Sequence, residues 1–154
     1  MVAVLLALLI GAVAGLRSMT APAAVSWAAA LGLLHLEGTW LAFLGYRATP
    51  WILTVLAIGE LIVDKLPSTP SRKEPAGFGT RIVTGVLSGA AIGASGGSLW
   101  GGLAAGAVGA VAGTLGGATV RARLAKALGK DRPAALIEDA VAVLGSALIV
   151  GAIP

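Results

Sequence analysis

The chain of 154 residues contains no cysteine and one histidine, His35. Disulfides, thiolate chemistry and cysteine-ligated metals are therefore excluded. A multi-histidine metal site within one chain is excluded too. Charge is scarce: 12% of residues are Asp, Glu, Lys or Arg, against about 25% in soluble domains. Aromatics make up 5%, too few to interleave with cations on a nucleic-acid-binding face. Half the polar surface that a soluble fold of this length needs is missing. What is present is apolar residue, 57% of the chain, with mean hydropathy +0.94. Such a chain suits a lipid solvent, in which helices satisfy their own backbone groups. The expected fold class is all-α: one polytopic membrane helix bundle over residues 1–154.

Ten of the eleven cations fall at three places. These are Arg17; then Lys65, Arg72, Lys73 and Arg81; then Arg121, Arg123, Lys126, Lys130 and Arg132. Only Arg47 lies elsewhere. Long apolar runs separate the three groups. The basic pI near 10.1 thus reflects cytoplasmic loops by the positive-inside rule, and no nucleic-acid partner is expected. The uncharged start, Met1-Val2-Ala3-Val4-Leu5-Leu6, lacks the cationic region of a signal peptide. It reads as a retained first helix with an outside N-terminus.

Six spans are expected, at residues 2–16, 19–34, 39–66, 80–97, 98–126 and 133–153. Both termini then lie outside and the three basic groups inside. Residues 39–66 read either as one span kinked at Pro50 or as a short surface helix followed by a span. Tyr46, Arg47, Trp40 and Trp51 suit an outer interfacial belt, and Trp27 and Trp100 are read as further anchors. His35 and Glu37 are assigned to a solvated turn. Pro67, Pro70 and Pro75 mark residues 67–79 as a loop, and Pro133 is expected to open the last span.

Gly15-x-Arg17-x-x-Thr20 recurs as Gly79-x-Arg81-x-x-Thr84. Acidic pairs, Glu60 with Asp64 and Glu138 with Asp139, occur in the third and sixth spans. Two related three-helix halves, residues 1–66 and 79–153 joined by loop 67–78, would account for both echoes, as in many transporters; chance in an Ala/Gly/Leu/Val background is the alternative.

Glycines recur every four residues at Gly85, Gly89, Gly93 and Gly97, and again at Gly102, Gly106, Gly109, Gly113 and Gly117 with one break. This spacing lets helix backbones approach closely. It predicts packing of the fourth span on the fifth, or on a second subunit as a homodimer. Arg81 continues the first stripe and is expected to face the interior.

Glu60 and Asp64 are four apart and share a helix face. With Arg17, Arg81, Glu138 and Asp139 they are expected to meet at one membrane depth near the cytoplasmic surface. Charge inside a span is costly and commonly functional. Two uses are open. The acids hold a cation, with Glu60 and Asp64 the metal pair if there is one, or relay protons, with Arg17 and Arg81 pairing them or taking an anion. Alternatively, the pairs merely hold helix ends together. The adjoining loop, with Lys65, Ser68, Ser71 and Arg72, suits a phosphate or a lipid headgroup, or serves as a structured turn.

Three segments carry a resemblance: Gly15 to Ala23, Gly59-Glu60-Leu61-Ile62-Val63-Asp64-Lys65-Leu66-Pro67-Ser68-Thr69-Pro70-Ser71-Arg72, and Ala135-Leu136-Ile137-Glu138-Asp139. Together they resemble a bacterial inner-membrane family catalogued as domain of unknown function 4126. The resemblance implies a small polytopic protein of the inner membrane and supplies no activity. The functional expectation is a transporter- or carrier-like protein with a cytoplasm-facing charged site. The alternatives are a phosphorylated-lipid binder or enzyme using residues 64–72, and an assembly protein. The expected partners are the bilayer and a small ion or phosphorylated lipid; no cofactor is expected.

Overall fold

The computed structural model describes the whole chain, Met1–Pro154, and is all-helical. Six α-helices follow in order: α1 Val2–Leu16, α2 Thr20–Ala30, α3 Thr49–Val63, α4 Pro75–Ser95, α5 Leu99–Leu128 and α6 Asp131–Gly151. A 3₁₀ helix, Trp40–Gly45, stands between α2 and α3. The long helix α5 lies at the centre against α1 and α4, which also touch each other. Helix α6 covers α5, α1 and α2, while α3 sits at the edge on α2 and the 3₁₀ helix.

Glycine decides the central packing. A Cβ added at Gly89 would fall 2.5 Å from the Gly102 carbonyl oxygen and 2.7 Å from the Gly106 Cα. One at Gly93 would lie 2.6 Å from the Gly102 Cα. On the other side of α5, a Cβ at Gly15 would lie 2.5 Å from both the Ala110 oxygen and the Thr114 nitrogen. Gly113 is pressed against Ala12 of α1, whose Cα would be 2.8 Å from an added Cβ. The close approaches that the glycine register predicts are thus filled by helices of the same chain. Gly97 does not belong to the stripe: its φ of 75° and open surroundings place it in the turn between α4 and α5.

The interior is built of small residues. Ala7, Ala14, Ala90, Ala110 and Ala142 are fully buried, whereas Trp100, Val108, Leu144 and Leu148 face outward. More large apolar side chains point out than in, the reverse of what water selects. Buried hydroxyls bond back to their own helices, as Ser88 does to the Thr84 carbonyl at 2.7 Å and Thr114 to that of Ala110 at 2.7 Å.

Several boundaries differ from those expected. Helix α2 ends at Ala30, four residues early, where Gly32 takes a left-handed φ of 78° and stops the helix. The stretch at 39–66 is two elements: the 3₁₀ helix, capped by the Thr39 hydroxyl, and α3. Pro50 opens α3, where its missing N–H costs nothing. Pro75 opens α4, so the loop stops at Glu74 and does not reach Gly79. Helix α6 starts at Asp131, two residues before Pro133.

Two helices, α5 with 30 residues and α6 with 21, are long and apolar enough to cross a membrane. Helices α1 and α3 are apolar but have 15 residues each, about 22 Å of helix against a hydrocarbon core of about 30 Å. The two expected halves also differ in build. Gly15-x-Arg17-x-x-Thr20 crosses the break between α1 and α2, whereas Gly79-x-Arg81-x-x-Thr84 lies inside α4.

The glycine contacts carry a direct test. Gly89→Leu and Gly113→Leu force backbones apart and should each cost about 3 kcal/mol, the upper end of typical overpacking. Gly101→Ala meets only the Ser98 hydroxyl and a Val4 methyl, side-chain atoms that can turn away. Thermal unfolding in detergent should rank Gly101→Ala near wild type and the two leucine variants far below. Equal melting of all three would show that the register does not hold the bundle.

Candidate functional site

Helix α1 ends at Leu16, and Arg17 leaves it in an extended conformation, φ −139° and ψ 113°. That turn sends the guanidinium inward. Arg17 is fully buried, and its charge is met by carboxylates from two distant helices. Its Nε donates to Asp139 Oδ1 at 2.7 Å, its Nη2 lies 2.6 Å from the same oxygen, and its Nη1 donates to Asp64. Glu138 is 3.7 Å from Nη2.

The same turn exposes backbone amides at the start of α2, where unpaired N–H groups and the helix dipole favour a negative charge. Glu60 supplies it. Its Oε1 accepts from the Ser18 N–H and hydroxyl, both at 2.8 Å, and its Oε2 accepts from the Met19 N–H at 2.8 Å. Glu60 and Asp64 share one face of α3, as their spacing requires, and dock that helix on the α1–α2 turn.

A second ring of cations completes the network. Lys65 Nζ donates to Asp139 Oδ2 at 2.5 Å and to the Leu61 carbonyl at 2.7 Å. Arg72 grips Glu138 with both terminal nitrogens, Nη2 at 2.7 Å from Oε2. Arg121 pairs with Asp131 at 2.7 Å and approaches Glu138 at 3.4 Å. Five cations (Arg17, Lys65, Arg72, Arg81, Arg121) thus face five carboxylates (Glu60, Asp64, Asp131, Glu138, Asp139). Only Glu37 and Glu74 among the acids lie elsewhere.

Arg81 is the exception inside this network. It is 6% exposed, yet its guanidinium makes no hydrogen bond. Its Nη2 stands 4.0 Å from Glu60 and 3.9 Å from Asp64, and its Nε is buried without a partner. Arg81 lines a polar cavity of about 370 Å³ together with Arg72, Arg121, Asp64, Asp131 and Ser71. Three guanidinium groups against two carboxylates leave this lining cationic. Both carboxylates are already engaged, Asp64 by Arg17 and Asp131 by Arg121. The Ser71 hydroxyl, which accepts weakly from the Lys73 N–H at 3.3 Å, keeps its own proton to donate.

All six ionisable groups expected to converge do so: Arg17, Glu60, Asp64, Arg81, Glu138 and Asp139. Lys65 and Arg72 join them. Ser71 reaches the cavity; Ser68 is exposed and outside its lining. No three acidic or histidine side chains are gathered as a metal site; both oxygens of Glu60 are taken by Ser18 and Met19, and Oδ2 of Asp64 by Arg17. Sequence reasoning passed over Arg121 and Asp131. The signal for Arg121 was its position four residues after Gly117, continuing one stripe as Arg81 continues the other. Arg123 is an exposed residue of α5.

The chain matches no protein-family model, no curated protein and no solved structure.

Removing one partner of a buried pair costs about 3–5 kcal/mol, because the other charge is left unmatched. Arg17→Ala should therefore lower the melting temperature strongly, while Arg123→Ala leaves it near wild type. Glu60→Gln keeps one acceptor oxygen and forfeits the other, a loss of about 1–3 kcal/mol. An Arg17→Ala variant as stable as Arg123→Ala would show that the network is solvated and holds nothing.

Proposed function

We propose that this is a multi-span protein of the bacterial inner membrane whose cytoplasmic end binds an anionic, phosphate-type group, as the recognition site of a small carrier or binding protein. The observation that carries this reading is Arg81. A buried guanidinium without hydrogen bonds is expensive, and here it borders a cavity that two further arginines share. Planar guanidinium forks suit phosphate oxygens, which accept two parallel N–H bonds. The acids serve the other half of the network, where they neutralise Arg17 and hold helix ends. This favours an anion over the cation that the acidic pairs suggested.

The membrane setting rests on the ten-to-one distribution of cations and on the outward apolar side chains. All six α-helices embed in this reading. Of the four that are shorter or more polar, α1 and α4 lie against α5, α2 lies against α6, and α3 is held at the edge by α2, with both termini outside and the charged end inside. The motifs behind the resemblance to domain of unknown function 4126 contain Arg17, Glu60, Asp64, Lys65, Arg72, Glu138 and Asp139. These are network residues, and placing the chain in that family is part of this proposal.

Two measurements test the proposal. A ligand that binds the folded state raises its melting temperature. Inorganic phosphate should therefore stabilise the detergent-solubilised protein, and Arg81→Gln should abolish the shift. No shift with phosphate, or an undiminished one in Arg81→Gln, would reject the anion site. Single cysteines at Ser71 and Lys130 should react only with reagent that reaches the cytoplasm. Reaction of either from outside sealed cells would overturn the orientation.

A further inference from the structure

A second cavity, about 410 Å³, lies between α1, α5 and α6. Its walls are Leu16, Val120, Leu124 and Ile137, and its floor is Gly113 and Gly116. It is apolar except at one end, where Arg121 and Glu138 stand. Arg121 also lines the cationic cavity. An apolar groove and an arginine-lined chamber therefore meet at one side chain.

Glycine keeps the groove open. A Cβ at Gly116 would meet no atom within 4 Å, so any larger residue there would project into free space. At Gly117, beside the junction, a Cβ would crowd Leu16 and lie 3.3 Å from Arg72 and 3.4 Å from Glu138. The groove walls are also partly open to the outside, with Val120 and Ile137 both exposed. Each volume falls in the range of small-molecule sites, about 300–1,000 Å³. The Asp131 side chain that holds Arg121 is 63% exposed, so an incoming anion can displace it without leaving a buried charge.

We infer that the ligand is a lipid bearing a phosphate monoester, with the phosphate among Arg81, Arg72 and Arg121 and an acyl chain in the groove between α1, α5 and α6. The inference rests on the anion reading above and adds the apolar half of the ligand. Charge complementarity selects the headgroup, since the chamber carries three arginines. The continuity of groove and chamber through Arg121 selects an amphiphile over a free anion. The outward-facing groove lets such a molecule enter from the bilayer side.

The test compares two phosphate monoesters that differ only in their apolar part: glycerol 3-phosphate and a long-chain lysophosphatidic acid. Binding to the full chain in uncharged detergent is followed by thermal shift and by native mass spectrometry. Lysophosphatidic acid should bind at least about tenfold more tightly, since each buried methylene adds to the affinity. Gly116→Leu plugs the groove and should remove this advantage while leaving glycerol 3-phosphate binding unchanged. Val120→Phe, on an exposed wall, is a second plug should the first not fold. Arg81→Gln should weaken both ligands.

Equal affinities for the two esters, or an advantage that survives both plugs, would overturn the acyl assignment and leave the anion site standing. Binding of neither ester, nor of inorganic phosphate, would overturn both. A wild-type dimer that Gly116→Leu dissociates without changing lipid affinity would assign the groove to a second copy of the chain and reject the lipid.

Discussion

One buried positive charge sets the arrangement of the charged end. Taking an ion out of water costs several kcal/mol after all relaxation. Arg17 is withdrawn completely, so its neighbours must repay that cost at close range. Asp64 and Asp139 do so, and each then constrains a helix. Asp64 fixes the end of α3, and Asp139, two turns into α6, fixes that helix. The bend that buries Arg17 also bares the amides that Glu60 covers. Lys65, Arg72 and Arg121 in turn balance the acids that Arg17 alone cannot satisfy. Five of the chain's seven acidic residues are committed to this one place.

Different physics holds the rest of the bundle. Around α5, backbone meets backbone because the intervening side chains are hydrogen atoms, and many weak dispersion contacts add up. Edge helix α3 has no such contact. Of its residues only Pro50 and Ala57 are buried. A hydrogen bond from Trp27 to Thr54 at 2.9 Å and the edge-on contact of Trp27 with Trp51 hold its outer part. Its inner end depends on Glu60 and Asp64. The acidic pair is therefore an attachment for α3 before it is anything else, and among the network's arginines Arg81 alone is left without a hydrogen bond.

Much of this was legible in the sequence. Helical class followed from composition. The inward face of Arg81 and the contact of α4 with α5 followed from a period of four in glycine. The gathering of Arg17, Glu60, Asp64, Glu138 and Asp139 followed from their common depth. What did not follow was the division of labour. Spacing shows that Glu60 and Asp64 share a face, but not that backbone amides of Ser18 and Met19 already fill one of them. Those donors belong to every residue, so no side-chain pattern marks them. Helix ends were also misjudged where Pro50 and Pro75 stand, because proline breaks a helix only in its interior and is welcome in the first turn. Arg121 was overlooked for a similar reason: as one of ten clustered cations it carried no distinguishing mark except its register with Gly117.

The partners of Arg17 are far apart along the chain, Asp64 by 47 residues and Asp139 by 122. A polypeptide emerges in order, so the buried cation is made first and its second carboxylate close to last. Until α6 arrives, Arg17 has Asp64 alone, Lys65 has only a carbonyl, and Arg72 has no acid at all. Non-local contacts of this kind form late and slowly. The charge balance of this end is therefore incomplete until the final helix has been made.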